Sequence, residues 1–178
     1  MLLSMVIVAN YLREFKVIRG SKFCVIRGIE TIPCPICGGR LYHYDSRSRS
    51  VRVDEEKQYQ FLLRRLRCKN CHKLHLELPS FLLPGQRCFK VVIEQALNSR
   101  PVPVVKDPRT PARWRKWWKK TKAYLLAALQ SLVHRKKIWI IQDPQALTDL
   151  ARILVNHGLW PFHLLRTGSL PESSLHSP

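Results

Sequence analysis

The sequence predicts an α+β fold: a four-cysteine zinc ribbon of antiparallel β-strands, followed by a small helical module. Three observations carry this. Two CxxC pairs, Cys34 with Cys37 and Cys68 with Cys71, stand thirty residues apart. Runs of alternating strand-type residues lie between them, and beyond Pro84 apolar residues recur at helical spacing. With 178 residues, of which 46% are hydrophobic, the chain can bury a real core.

The opening "MLLSMVIVANYL" is apolar but stops at Arg13, short of the roughly 20 apolar residues that cross a bilayer. It also lacks the basic start of an export signal, so it reads as a buried strand in a cytoplasmic protein. In that reducing compartment cysteines stay free or bind metal.

Four thiolates in two CxxC turns fit a closed, tetrahedral Zn²⁺ site of Cys34, Cys37, Cys68 and Cys71. Gly38 and Gly39 suit the turn because glycine adopts positive φ without steric cost. A disulfide pair, a redox CxxC, an iron–sulfur cluster or a ligand role for His72 or His75 each explains less of the pattern. Four sulfurs leave no open position for water, so one structural zinc is expected and catalysis at it is not. Cys24 and Cys88 read as small core residues.

Between the pairs, "LYHYDSRSRSVRV" alternates, and its Asp45-to-Ser50 centre has turn chemistry; "QYQFLLRRLRC" is a second strand running into Cys68. Acidic Asp54 to Glu56 is expected to form a solvated turn. These features divide the chain into N-terminal strands packing on the ribbon (1–29), the zinc ribbon (30–84), a helical module (85–166) and a disordered tail (167–178).

The run "CPICGGRLYHYDSRSRSVR … LRRLRCKNCHKLHLELPSFLLP" resembles the N-terminal zinc ribbons of bacterial insertion-sequence transposases. It is more similar still to a family of small bacterial proteins catalogued as a domain of unknown function. There the ribbon is followed by the "LPSFLLP" element, a helix and an arginine- and tryptophan-rich helix, here "CFKVVIEQAL" and "ARWRKWW". The resemblance spans roughly residues 30 to 165. It implies a helix-turn-helix-like DNA-binding module of mobile-element descent, with a transposase or recombinase as a protein partner. Two departures stand out: His72 follows Cys71 where glycine is usual, and "SRPVPVVKDPRT" carries prolines that disfavour a middle helix.

The first helix is expected from about Cys88 to Leu97, with Phe89, Val92, Ile93, Ala96 and Leu97 inward. The second starts at Thr110 as N-cap and Pro111 and runs to about Val133. Its apolar face is Trp114, Trp118, Thr121, Leu125, Ala128, Leu129 and Leu132. Arg115, Lys116, Lys119, Lys120 and Lys122 fall opposite, and Trp117 at the edge is the expected exposed aromatic. "KIWIIQ" reads as a short strand, Asp143-Pro144 as another helix start, and a third helix follows to about His157. That helix turns Leu147, Leu150, Ala151, Leu154 and Val155 inward, with Gly158 after its end. "LWPFHLL" is then expected to pack back on the core.

The chain carries 31 Lys and Arg against 12 Asp and Glu, a formal net charge of +19. From Pro108 to Gln142 there are ten basic residues and no acid. So one-sided a charge points to nucleic acid ahead of an anionic membrane surface or an acidic protein. No acidic cluster, P-loop or dinucleotide fingerprint is present, so no enzyme and no small-molecule substrate is expected. Two functions remain. One is a DNA-binding accessory factor or regulator. The other is a ribbon that docks a protein partner within an RNA or ribonucleoprotein assembly. For the first, phosphate contacts fall to the helix lysines, and base reading to Arg113 and Arg115 on the helix or to Arg47, Arg49 and Arg52 on the ribbon.

Overall fold

The computed structural model describes residues 4–52, 58–102, 107, 109–136 and 147–161. Six strands are followed by three helices: β1 (Ser4–Val8), β2 (Tyr11–Ile18), β3 (Ser21–Gly28), β4 (Leu41–Arg52), β5 (Gln58–Cys68), β6 (Leu74–Pro79), α1 (Lys90–Leu97), α2 (Arg109–Lys136) and α3 (Leu147–Asn156). The α+β class is as expected. The sheet is mixed rather than purely antiparallel.

β5 is its axis. Along one side β5 pairs antiparallel with the whole of β4. Along the other, its lower half pairs parallel with β3 (Cys24↔Phe61 to Ile26↔Leu63) and its upper half antiparallel with β6 (Arg65↔Leu76 to Arg67↔Leu74). β1 adds parallel to β6, and β2 adds antiparallel to β3. The N-terminal strands are thus hydrogen-bonded into the same sheet as the strands that lead to the cysteines. Expecting a turn at Asp45 to Ser50 was wrong: β4 runs unbroken for 12 residues with a bulge between His43 and Asp45. Residue-by-residue pairing with β5, and a two-pronged Arg65 grip on the Asp45 carboxylate, keep those turn-type residues extended. That guanidinium also holds Asp45 below the usual carboxylate range.

Strand alternation sends Met5, Ile7, Cys24, Ile26, Phe61, Leu63, Leu76 and Leu78 to one face. There they join Val92 and Ile93 of α1, Leu125 and Leu129 of α2, and Leu150 and Leu154 of α3 in one core. The helical faces match the expected periodicity: Leu147, Leu150, Ala151, Leu154 and Val155 are all buried, as are Thr121, Leu125, Leu129 and Leu132. Cys24 and Cys88 are core residues, as expected. α2 is anchored at its start by Asp107 rather than Thr110. Asp107 Oδ1 accepts the Arg109 N–H at 2.9 Å and Oδ2 the Thr110 hydroxyl at 3.4 Å. Trp117, expected to be exposed, packs beside Trp118 and Trp160 at centroid distances of 6.1 and 6.4 Å, because the chain after α3 folds back over it.

The opposite face carries an ion pair, between half-buried Arg64 and buried Glu77, that composition did not reveal. Arg64 meets Glu77 with two hydrogen bonds, at 2.8 and 2.7 Å. Gly28 closes the ring: its N–H donates to Glu77 Oε2 at 3.0 Å, and its carbonyl accepts from Arg64 at 2.8 Å. A side chain at Gly28 would meet Val8 and Glu77 at 2.7 and 2.8 Å, so the close approach requires glycine. No helix among the described residues is long and apolar enough to cross a membrane. The expected acidic turn at 54–56, the strand "KIWIIQ", the Asp143-Pro144 start and the tail at 167–178 lie outside the described residues.

Candidate metal centre

The two CxxC segments form the same turn twice. In the first, the Cys34 N–H donates to the Gly39 carbonyl at 2.8 Å and the Gly38 N–H to the Cys34 carbonyl at 2.8 Å. In the second, Cys68 N–H donates to Lys73 at 3.0 Å and His72 N–H to Cys68 at 3.2 Å. The residue after the second cysteine takes positive φ in both, +73° at Gly38 and +57° at His72. β5 delivers the second turn and β4 leaves from the first, and Lys69 N–H to the Arg40 carbonyl (3.0 Å) stitches them together. Gly39 is needed for space: a Cβ there would lie 2.8 Å from Asn70 and 3.0 Å from Cys68 Sγ.

All four Sγ atoms lie within 4.8 Å of one another, with Cys34–Cys71 at 3.7 Å and Cys37–Cys68 at 3.5 Å. A tetrahedron with arms of about 2.3 Å has edges of about 3.8 Å, so the cluster could hold one metal ion. All six cysteines are free thiols. The thiols differ in acidity. Backbone N–H groups of Cys71 and Asn70 favour the Cys68 thiolate and draw it down to about 6, whereas burial pushes Cys34 up to about 12. Holding a metal therefore requires Cys34 to lose a proton that its surroundings favour.

His75, weighed in the sequence only as a substitute ligand, instead stands behind one of the cysteines. It is fully buried, and its Nε2 lies 3.3 Å from Cys34 Sγ. Nδ1 lies 2.9 Å from the Ser4 hydroxyl at the start of β1. Burial lowers its pKa, which favours the neutral ring. Donation from Nε2 to the sulfur then leaves Nδ1 to accept from Ser4. His75 is thus an outer partner of one candidate ligand, the kind of group that would orient a metal-bound thiolate. Alternation with Leu76 and Leu78 sets it on the sheet face opposite the helices, so the pattern of "HKLHLELP" alone does not mark it as buried. From the helical side, α3 rests on the first turn: Gly158, at φ +72°, sits so close to Pro35 that a Cβ would be 2.7 Å from its carbonyl oxygen.

The basic residues divide. Lys116, Lys119, Lys120, Arg113 and Arg115 are exposed on α2, with Lys122 half-buried, while Trp114 and Trp118 turn inward. Arg115 nevertheless donates to the Ala96 carbonyl at 3.2 Å, tying α2 to the end of α1, and Arg113 lies 3.9 Å from Asp107. Arg49 faces inward: it donates to the carbonyls of Leu83 (3.3 Å) and Gln86, and burial lowers its pKa. Arg47 and Arg52 are exposed. Arg52 shares a cavity of about 300 Å³ with Arg87, Asp107, Thr110 and Trp114, which sets the end of β4 beside the start of α2. No helix lies among the described residues 98–102 and 107 between α1 and α2, so a helix-turn-helix is not seen.

Residues 34–114 match the family model described as "Domain of unknown function (DUF6431)". The matched stretch takes in both cysteine turns, β4 to β6, α1 and the start of α2. No curated protein and no solved structure matches the chain.

Proposed function

We propose that the chain is a non-catalytic nucleic-acid-binding protein that takes duplex DNA. In this reading one structural Zn²⁺ on the four cysteines holds a zinc ribbon, and the protein acts as an accessory factor or regulator akin to the DNA-binding modules of insertion-sequence transposases. The observation that carries it is the single-signed outer face of α2. Lys116, Lys119 and Lys120 stand exposed while Trp114, Trp118, Leu125 and Leu129 of the same helix turn inward. A solvated helix face ordinarily mixes both signs. Arg52 and Arg87, beside the start of α2, extend the cationic surface onto the sheet. Four soft thiolates with no open position suit zinc as a structural ion.

Of the arginines expected to read bases, Arg49 and Arg115 are engaged with backbone carbonyls, which leaves Arg113 on the helix and Arg47 and Arg52 on the ribbon strand as the candidates. The test is a salt titration of binding to random duplex DNA. Replacing Arg113, Lys116, Lys119 and Lys120 with Gln should weaken binding and flatten the log–log salt slope by about 0.9 for each phosphate no longer neutralised. Unchanged affinity and slope, with metal content and circular dichroism preserved, would reject this reading and favour a ribbon that docks protein in an RNA assembly.

A further inference from the structure

Among the described residues the sheet has three outer edges, and they are treated differently. On β1, Asn156 of α3 grips Ile7: its side chain accepts the Ile7 N–H at 2.7 Å and donates to the Ile7 carbonyl at 2.8 Å. β4 carries a bulge between His43 and Asp45 and exposed Arg47 and Arg52. Bulges, charge and covering groups are the usual protections of a sheet edge. β2 also carries charge, at Arg13, Glu14 and Lys16, but among the described residues it shows neither a bulge nor a hydrogen-bonded covering group. It is an eight-residue edge without proline or bulge, and among the described residues nothing pairs with its outer side. Leu12, Phe15, Val17 and Ile18 are 55%, 58%, 72% and 40% exposed.

We propose that β2 is a self-association edge, where a second copy of this chain adds antiparallel across a two-fold axis at Phe15. The register follows from geometry. Residues directly opposite each other point to the same face, so the two-fold of an antiparallel pair lies on a residue that faces itself. Centring on Glu14 sets it against its own copy, and centring on Lys16 does the same for Lys16 and sets Arg13 against Arg19. Centring on Phe15 leaves no like charges opposed. Glu14 then faces Lys16 of the other copy twice, Leu12 faces Ile18, Arg13 faces Val17, and the two Phe15 rings meet.

The backbone agrees. Arg19 and Gly20 both have positive φ, 49° and 76°, which makes the β2–β3 connection a two-residue turn closed by the hydrogen-bonded pair Ile18↔Ser21. By alternation, Lys16, Glu14 and Leu12 bond to β3, and Arg13, Phe15 and Val17 turn their N–H and C=O groups outward. Those are the groups a partner centred on Phe15 would use. Glu14 and Lys16 become the more closely spaced, non-hydrogen-bonded pairs, and they already attract within one strand, 3.4 Å apart. The net charge of +19 opposes association. Charges more than about 8 Å apart are largely screened at physiological salt, whereas the facing pairs are not. A two-fold perpendicular to the sheet also leaves the helices of both copies on the same side.

The proposal is tested on nuclease-treated, metal-loaded full chain by sedimentation equilibrium at about 150 mM salt. Wild type should populate a dimer. Glu14→Lys and Lys16→Glu, each placing like charges opposite, should shift the dissociation constant upward by about tenfold or more. Equimolar mixing of the two single variants should restore the dimer, because positions 14 and 16 are then both basic on one strand and both acidic on the other. The double exchange Glu14→Lys with Lys16→Glu should restore it within one chain. Both positions are solvent-exposed, and circular dichroism checks that the variants fold. A monomeric wild type up to hundreds of micromolar overturns the proposal. So does a dimer indifferent to the single exchanges, or single variants that fail to associate on mixing. A monomer whose DNA affinity falls with Lys16→Glu would assign this edge to nucleic acid instead.

Discussion

The two cysteine turns carry the same hydrogen bonds on different chemistry. In the first, glycine supplies both the positive φ and the space; in the second, His72 holds the left-handed conformation at +57° with a side chain attached. Such a residue costs about 1–2 kcal/mol against its relaxed backbone. It persists because Cys68 ends a long strand and β6 begins at Leu74, two residues after His72, so the surrounding sheet dictates the conformation. The first turn has no strand entering it. It is positioned by contacts instead: His75 on Cys34, Gly158 on Pro35, and the Asn70 side chain over Gly39. One motif can thus be shaped by its own residues or by its neighbours, and the two halves should respond differently to substitution.

The largest effect should come from removing a ligand in either half. Cys34→Ser and Cys68→Ser should both take metal content from one per chain to none, read by elemental analysis. Both should also cost cooperative unfolding, since structural zinc binding in small modules contributes about 10–16 kcal/mol. Cys24→Ser and Cys88→Ser, in the core away from the cluster, should keep the metal and lower only thermal stability. Full metal content in Cys34→Ser would show that the halves are not one site.

The halves should then separate on an outer partner. His75 touches Cys34, and no hydrogen bond links it to Cys68. His75→Ala should weaken metal affinity by about 10–100-fold, as loss of such partners does, measured by chelator competition. Metal held as tightly as in wild type would leave His75 as core packing alone.

The smallest and most pointed comparison is at the positive-φ position. Gly38→Ala should destabilise by about 1 kcal/mol, because a Cβ is placed on a left-handed residue in otherwise open space. His72→Gly should be neutral or stabilising by up to about 1 kcal/mol, strain relief being offset by the greater backbone entropy of glycine. Denaturant midpoints on metal-loaded protein measure both. Equal destabilisation by the two changes would mean that His72 contributes through its ring and not through its backbone.

Much of this molecule was legible in local pattern. The paired spacing identified the four cysteines, and helical periodicity named the buried faces of α1, α2 and α3 apart from Trp117, because both follow from short-range geometry. His72 was singled out as a departure from glycine, and its φ bears that out. β5, running into Cys68, was readable from its strand-type residues.

Tertiary pairing settled what lay beyond that range. Asp45 to Ser50 has turn chemistry, yet β5 alongside it and Arg65 opposite Asp45 keep it extended. Arg49 looked like a free cation, but the segment after Pro79 brings two carbonyls to it. Glu77 had no acidic neighbour in the sequence, and its partner Arg64 comes from the adjacent strand region 13 residues away. His75 reads as one more scattered histidine until β1, 71 residues earlier, places Ser4 against one nitrogen and the first turn places Cys34 against the other. Parallel joining of β1 and β3 to the later strands leaves no local signature, since such pairs have no shared turn. Residue type and spacing therefore determined which cysteines cluster and which faces bury. Which polar groups meet was decided by strands far apart in the chain, because a buried charge or imidazole takes the partner that the fold delivers to it.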